Sequence, residues 1–312
     1  MNKMSKNIPV APRPASTVLL LREQLRGFEV FLLRRHNESA FMAGNYVYPG
    51  GAVDKDDEDK EMLTRCTMCL SGVGNDVSRR DLLGYRVAAI RELFEEAGVL
   101  LAYRKDGTFF RPFDEAEREK FARYRRELNA GQINFLHLLS QENLILALDS
   151  LLYYAHWITP EARPIRFDTR FFVALHHSGQ EASPDQEETT DGIWIAPRSA
   201  LEANIVGSLP LSPPTLKTLE DVACYDALQP FLESLRRAEK RIAVLPVVVK
   251  IAGEDVLIFP WDPDYDGYKK GALQQRTPEV SDARPSCPSD NTTRLIYRRG
   301  LWLPFVKNPN HP

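Results

Sequence analysis

No apolar run in this sequence approaches the length of a bilayer span, so it offers no candidate for a membrane-crossing helix. It also lacks a surplus of either charge. Against 43 Asp and Glu stand 40 Lys and Arg, for a net charge of −3, which gives no electrostatic reason to expect nucleic acid or an anionic membrane as a partner. Cysteine is scarce: Cys66, Cys69, Cys224 and Cys287 are the four in 312 residues. Cys66 and Cys69 have the spacing of half a zinc site. No second C-x-x-C and no close histidine pair accompanies them, so reduced thiols are expected rather than zinc. There is no internal repeat. Residues 1–15 lack the apolar core of a signal peptide and read as a loose leader, and the final Asn310-His311-Pro312 is not a peroxisomal tripeptide. A cytoplasmic protein is the expectation. A hydrophobic content of 43% suffices for a packed core.

What is present is concentrated in Tyr85–Leu101, YRVAAIRELFEEAGVLL. Apolar residues at 87, 88, 90, 93 and 97 recur at helical spacing, and Gly98 is placed to end the helix. At about 100° per residue, Glu92, Glu95 and Glu96 fall in one narrow sector. Crowded carboxylates repel unless neutralised. Residue types alone leave two readings open: a solvated acidic face, or a site for a hard divalent cation, Mg²⁺ or Mn²⁺. Arg91 reaches Glu95 at i,i+4 and can fix its orientation.

The exact string decides between them. Arg91-Glu92-Leu93-Phe94-Glu95-Glu96-Ala97-Gly98-Val99 resembles the second half of the Nudix box, G-x5-E-x7-R-E-U-x-E-E-x-G-U, where U is aliphatic. Tyr48-Pro49-Gly50-Gly51 resembles the strand end and glycine turn that open the box. Counted from Gly51, the box's first acid falls on Asp57 rather than a glutamate. Residues 58–90 then replace the expected seven, so a polar loop of about 58–80 is inserted into the box; long loops cost little extra closure entropy.

The remaining chain reads as strands and helices around this box. Residues 16–21 and 28–34 are strands joined through Gly27. From Phe113 to Tyr154 the pattern is helical, an insert of about 111–155. Strands resume at 156–159, 168–176 and 193–195. The loop before the last of these holds several acids, of which Glu188, with Glu187 as alternate, is the candidate for a general base that must reach an attacking water. Arg163, Arg166 and Arg170 lie close in sequence and suit bidentate phosphate contacts. A domain of 16–210 is followed over 211–312 by a helix at 215–240, a hairpin around Gly253 and an irregular tail from 261.

Taken together, these features are similar to the long Nudix branch that includes peroxisomal coenzyme A diphosphatases. That resemblance implies an α/β/α Nudix sandwich with a mixed sheet, elaborated by the helical insert and a C-terminal extension. It implies a diphosphate hydrolase with Mg²⁺ or Mn²⁺ on Glu92, Glu95 and Glu96. Arg91, Glu95 and Glu188 are then the catalytic candidates, and Arg35, Gly50, Gly51, Arg163 and Arg166 the substrate-binding ones. The signature of coenzyme-A-cleaving members, LLTxR(S/A)x3Rx3Gx3FPGG, can be laid on residues 31–51. Arg35, Gly44 and Pro49-Gly50-Gly51 match it, whereas His36, Ala40 and Tyr48 depart from it. The substrate so implied is a small nucleotide diphosphate: coenzyme A or acyl-coenzyme A, or, as Ala40 would favour, a nucleotide sugar or another nucleoside diphosphate derivative. A catalytically silent nucleotide-binding regulator is the third reading. The oligomeric state is not indicated.

Overall fold

The computed structural model describes residues 9–39, 41–67, 82–237, 242–271 and 292–305. Its centre is an antiparallel pair, β1 (Arg13–Glu23) and β2 (Phe28–Arg35), which turns at Gly27 with φ 82°. Side chains alternate across a strand. Val18 and Leu20 therefore enter one core while Leu19 and Leu21 enter another; on β2, Phe31 and Leu33 are divided from Val30 and Leu32 in the same way. Strands buried on both faces need a covering layer on each.

The first layer follows two short strands, β3 (Tyr46–Val47) and β4 (Gly50–Ala52). It holds α1 (Lys60–Thr64), α2 (Leu83–Ala97), β5 (Ala102–Tyr103), α3 (Glu115–Asn129), α4 (Phe135–Gln141) and β6 (Ile145–Leu146). Gly98 ends α2 in the left-handed region, its N–H donating to Phe94 O at 2.9 Å, as the sequence predicts. Next come β7 (Leu152–Ile158), β8 (Phe167–Leu175) and β9 (Thr189–Ile195). The second layer is α5 (Pro197–Ile205), α6 (Pro213–Val222) and α7 (Leu228–Arg237), after which β10 (Ala243–Val244) joins the sheet.

Among the described residues the main sheet runs β10-β7-β8-β1-β2-β3, with β4 on β1 and β9 on β2. The β1–β8 and β10–β7 pairs are parallel and the others antiparallel, so the sheet is mixed and lies between helical layers, as expected. One edge of β1 changes partner: Ala15–Thr17 pair with β4, and Leu21–Glu23 with β2. No helix of the described residues is long and apolar enough to cross a membrane.

Four expectations need correction. The leader is shorter than expected, because strand pairing begins at Arg13, opposite Phe167. The helical pattern attributed to residues up to Tyr154 ends earlier. Leu152–Ile158 is a strand, its aromatic and β-branched side chains packing on a sheet whose position periodicity could not show. The single helix expected over 215–240 is two, with residues 223–227 turning the chain between them. The tail is also more regular than its composition suggested. After β11 (Val247–Ile251), β12 (Glu254–Ile258) and α8 (Tyr265–Lys269), the strands β13 (Arg294–Arg298) and β14 (Leu301–Phe305) complete a four-stranded antiparallel sheet. Long-range contacts decide this. Leu257, Phe259, Leu295 and Trp302 join the second core, and Arg294 meets Asp262 through two bonds of 2.6 and 2.7 Å. Cys69, Ala40 and most of the inserted loop lie outside the described residues; Cys66 Sγ donates to Met62 O at 3.3 Å.

Candidate active site

The site forms where α2 crosses β4 and β1. Ser16 Oγ, on β1, donates to Tyr85 O at 2.6 Å and ties the start of the helix to the sheet. Gly50 and Gly51 lie beneath the helix, and a Cβ at either would have to displace a neighbour. A Cβ on Gly50, whose φ is 156°, would stand 2.2 Å from Ser16 O. One on Gly51 would stand 2.5 Å from Glu92 Oε1. These glycines make room for the β1 backbone and for a glutamate. The Gly50 N–H donates to Glu96 Oε2 at 2.7 Å.

Arg91 holds this arrangement together. Its Nε and Nη2 donate to Asp57 Oδ1 and Oδ2, both at 2.9 Å, and Nη2 also donates to Ala52 O at 2.8 Å. Nη1 donates to Glu92 Oε1 at 2.9 Å and to Glu95 Oε2 at 2.8 Å. A guanidinium has five N–H donors, and these contacts use all of them. Arg91 is thus a positioning residue with nothing left for a substrate, a correction to its expected catalytic role. Asp57 is 1% exposed and accepts from Asp54 N–H at 2.8 Å as well. The residue at the box's first acidic position is therefore the buried counter-ion of Arg91, although 33 residues separate the two in sequence.

The three clustered glutamates are divided. Glu92 and Glu96, one turn apart, face a cavity of about 860 Å³, while Glu95 is turned to Arg91 and does not line it. Among the described residues, no three His, Cys, Asp or Glu side chains converge in a geometry that could hold an ion. Arg35, Gly50, Gly51, Arg163 and Glu188 share the cavity wall with Glu92 and Glu96. The acidic loop is sorted by Asp185, whose carboxylate accepts the N–H groups of Glu187, Glu188 and Thr189 at 3.2, 3.3 and 2.9 Å. That turn leaves Glu188 at the cavity mouth, its side chain 66% exposed and 3.8 Å from Arg35 Nη2. Glu187 is not on the wall.

Arg166 is not on the wall either. It is buried, and its guanidinium donates to Thr159 O and Val10 O, so the expected substrate role is replaced by a structural one that anchors the chain before β1. Arg170 pairs with Asp168 and lies over the Tyr85 ring. One participant was missed by sequence reasoning. Arg13, assigned to the leader, lines the cavity; the alternation of β1 continues through it, but prolines at 12 and 14 masked the signal. The Tyr48 hydroxyl shares a buried 3.0 Å hydrogen bond with Thr218 Oγ1, a polar tie to α6 that phenylalanine could not make.

A protein-family model described as the NUDT19 Nudix domain matches residues 71–222. The chain is 25% identical over 320 residues to the acyl-coenzyme A diphosphatase NUDT19 of Xenopus laevis, covering 89% of this chain and 80% of that protein. It is 27% identical over 278 residues to the human protein of that name, covering 77% of this chain and 72% of that one. It also resembles the crystal structure of a Nudix hydrolase from Alicyclobacillus acidocaldarius, with a TM-score of 0.58 and 27% identity over 72% of this chain and 96% of that one. These likenesses in sequence and in fold support an enzyme of the Nudix hydrolase type.

The electrostatics of the site follow from the burial of its acids. Burial pushes Glu92 up to about 7, with Arg91 pulling it down and Glu95 adding to the rise. Burial, then repulsion from Glu92, carries Glu96 well above the usual carboxylate range against the Gly50 N–H. Burial also raises Glu95, opposed by Arg91. Nudix hydrolases generally use divalent metal ions, and the donor set fits one. Glu96 is a buried carboxyl with no ion-pair partner among the described residues, one turn from the half-buried carboxyl of Glu92 on the same wall. Hard oxygen donors with an unneutralised charge are what such a cation takes.

These shifts have a pH consequence. Between about pH 4.5 and 7 the folded Glu92 retains a proton that the unfolded chain has released. Folding stability therefore falls as pH rises through that window, by up to about 3 kcal/mol from this group. Melting curves of metal-free protein at pH 5, 6, 7 and 8 are expected to show this slope, and Glu92→Gln is expected to flatten it. An unchanged slope in the variant would show that the carboxyl is not desolvated.

Proposed function

We propose that this Nudix hydrolase cleaves the diphosphate linkage of coenzyme A and its acyl thioesters with Mg²⁺ or Mn²⁺. The observation that carries this reading is the pair of the half-buried Glu92 and the buried Glu96 at the wall of a cavity that also bears Arg35 and Arg163. A carboxyl pair and guanidinium groups facing one space are suited to a cation and a diphosphate together. The substrate class rests on similarity to proteins named acyl-coenzyme A diphosphatase, aligned over 77–89% of this chain.

Glu92 and Glu96 would hold the cation, whose chemistry is to neutralise the diphosphate and acidify a bound water. Arg35 and Arg163 would hold phosphate oxygens in line for attack. Glu188, exposed at the mouth, would take the proton of the attacking water on a carboxylate oxygen; Glu95 is the alternative base within the box. Arg91, held by Asp57, fixes Glu92 and the Gly50 N–H fixes Glu96, and fixed positioning of this kind supplies much of the rate in phosphoryl transfer. Nucleotide sugars and other nucleoside diphosphate derivatives are the second reading, favoured by Ala40 where the coenzyme A signature has arginine.

The test is phosphatase-coupled phosphate release with Mn²⁺ from coenzyme A, acyl-coenzyme A, ADP-ribose and UDP-glucose. The coenzyme A compounds are expected to give the highest kcat/KM, and a preference for UDP-glucose would establish the second reading. The metal should also stabilise the fold by about 3 kcal/mol at a hundred times its Kd, since it binds the folded state only. Full activity in excess EDTA, or a melting temperature indifferent to Mn²⁺, would rule out a metal on Glu92 and Glu96.

A further inference from the structure

The cavity extends well beyond the glutamate pair, and its far end has different chemistry. Its floor crosses the main sheet. Strand pairing sets Ala52 beside Ala15, Ala15 beside Thr169, and Thr169 beside Trp157. All four face the cavity. Three inter-strand steps of roughly 4.8 Å carry this floor about 14 Å from β4, under the glutamates, to Trp157. Ala15 and Thr169, in the middle, are small enough to leave a passage.

At the far end the cavity meets the C-terminal sheet. Leu257 on β12, Tyr297 on β13 and Trp302 on β14 lie on one face of that sheet and form cavity wall together with Trp157; the charge on that face, Asp255, is paired with Arg163 at 3.6 Å. The rings of Tyr297 and Trp302 are 5.1 Å apart. This wall is firmly seated, because Leu257 and Trp302 belong to the second core and Asn204 Nδ2 donates to Trp302 O at 3.0 Å. All three wall residues lie outside the segment matched by the Nudix family model.

We infer that this far end receives the apolar S-acyl group of a coenzyme A thioester, so that the C-terminal sheet sets selectivity for the acyl chain. The inference rests on the proposed function. A diphosphate held at Glu92 and Glu96 leaves the substrate two arms. The nucleoside arm is compact and polar, and it carries a further phosphate. The pantetheine arm is linear and ends in the acyl group. A floor that runs about 14 Å over small residues to the side chains of Trp157, Leu257, Tyr297 and Trp302 suits the linear arm. Burying acyl methylenes there is favourable, which is a gain that free coenzyme A cannot obtain.

Two substitutions test this from opposite directions. Tyr297→Ala removes part of the wall at a residue that is 44% exposed, so the fold tolerates it. Thr169→Phe obstructs the passage, placing the added volume in open space rather than in a packed core. For each, kcat/KM is measured on free coenzyme A, acetyl-coenzyme A and palmitoyl-coenzyme A, with a thermal melt as control. The ratio of palmitoyl-coenzyme A to free coenzyme A is expected to fall about tenfold in both variants, through KM more than kcat. A ratio unchanged from wild type in either folded variant would overturn the acyl subsite while leaving the diphosphatase reading intact. Failure of the wild-type protein to cleave any coenzyme A compound, with turnover of ADP-ribose or UDP-glucose, would instead overturn the substrate reading.

Discussion

Glu96→Gln should lower turnover by about a hundredfold or more while the metal-free protein melts at the same temperature or higher. Glutamine keeps the size of the side chain, and its amide oxygen can still accept the Gly50 N–H that Glu96 accepts at 2.7 Å. What is lost is a charge, which a hard cation requires. The same charge is a liability without the cation, since Glu96 is buried and repelled by Glu92. Removing it relieves both costs, most visibly above neutral pH, where the wild-type pair is most nearly ionised. A solvated surface glutamate would behave differently: its substitution would shift stability by no more than about 0.5 kcal/mol at any pH and leave the rate alone. Turnover at saturating Mn²⁺, read beside a melt in EDTA at pH 8, separates the two. Wild-type turnover in the variant would remove Glu96 from the metal site.

Asp57→Ala is expected to have the largest effect on the fold itself, a loss of about 3–5 kcal/mol. The substitution leaves Arg91 buried with two donors unanswered and a charge offset by Glu92, Glu95 and, at 3.6 Å, the exposed Asp54. Removing one partner of a buried pair costs far more than removing both. Asp57→Leu combined with Arg91→Met should therefore recover much of the lost stability. It should not recover activity, because Glu92 and Glu95 lose the guanidinium that orients them. Chemical denaturation of the single and double variants gives the coupling energy directly. If Asp57→Ala costs under about 1 kcal/mol, the clamp is not what holds α2 against the turn that carries Asp57.

A local sequence pattern determined much of this protein. Helix α2 and its cap at Gly98 follow from apolar spacing and from the one residue that adopts the left-handed region without strain. The pairing of Arg91 with Glu95 follows from the i,i+4 rule, and the alternation in β1 and β2 foretold strands. The box residues and the glycine pair together identified the family, and with it the sandwich.

Tertiary structure decided the rest, because the deciding partners are far apart in the chain. Asp57 and Arg91 are separated by 34 positions and an insertion, so only the fold could show that the first acid of the box answers an arginine. The narrow sector predicted for Glu92, Glu95 and Glu96 was divided by that arginine, whose five donors draw Glu95 away from the cavity. Arg163 and Arg166 are alike in sequence. One faces the cavity and the other is spent on the carbonyls of Thr159 and Val10, a distinction that depends on where β1 begins. The tail from 261 appeared irregular because its strands are short and gain their stability from pairing with β12 and burying Leu295 and Trp302 in the second core. Spacing along a chain reports which side chains share a face. Which face meets which, and what is left between them, is fixed only when the sheet closes against its two layers.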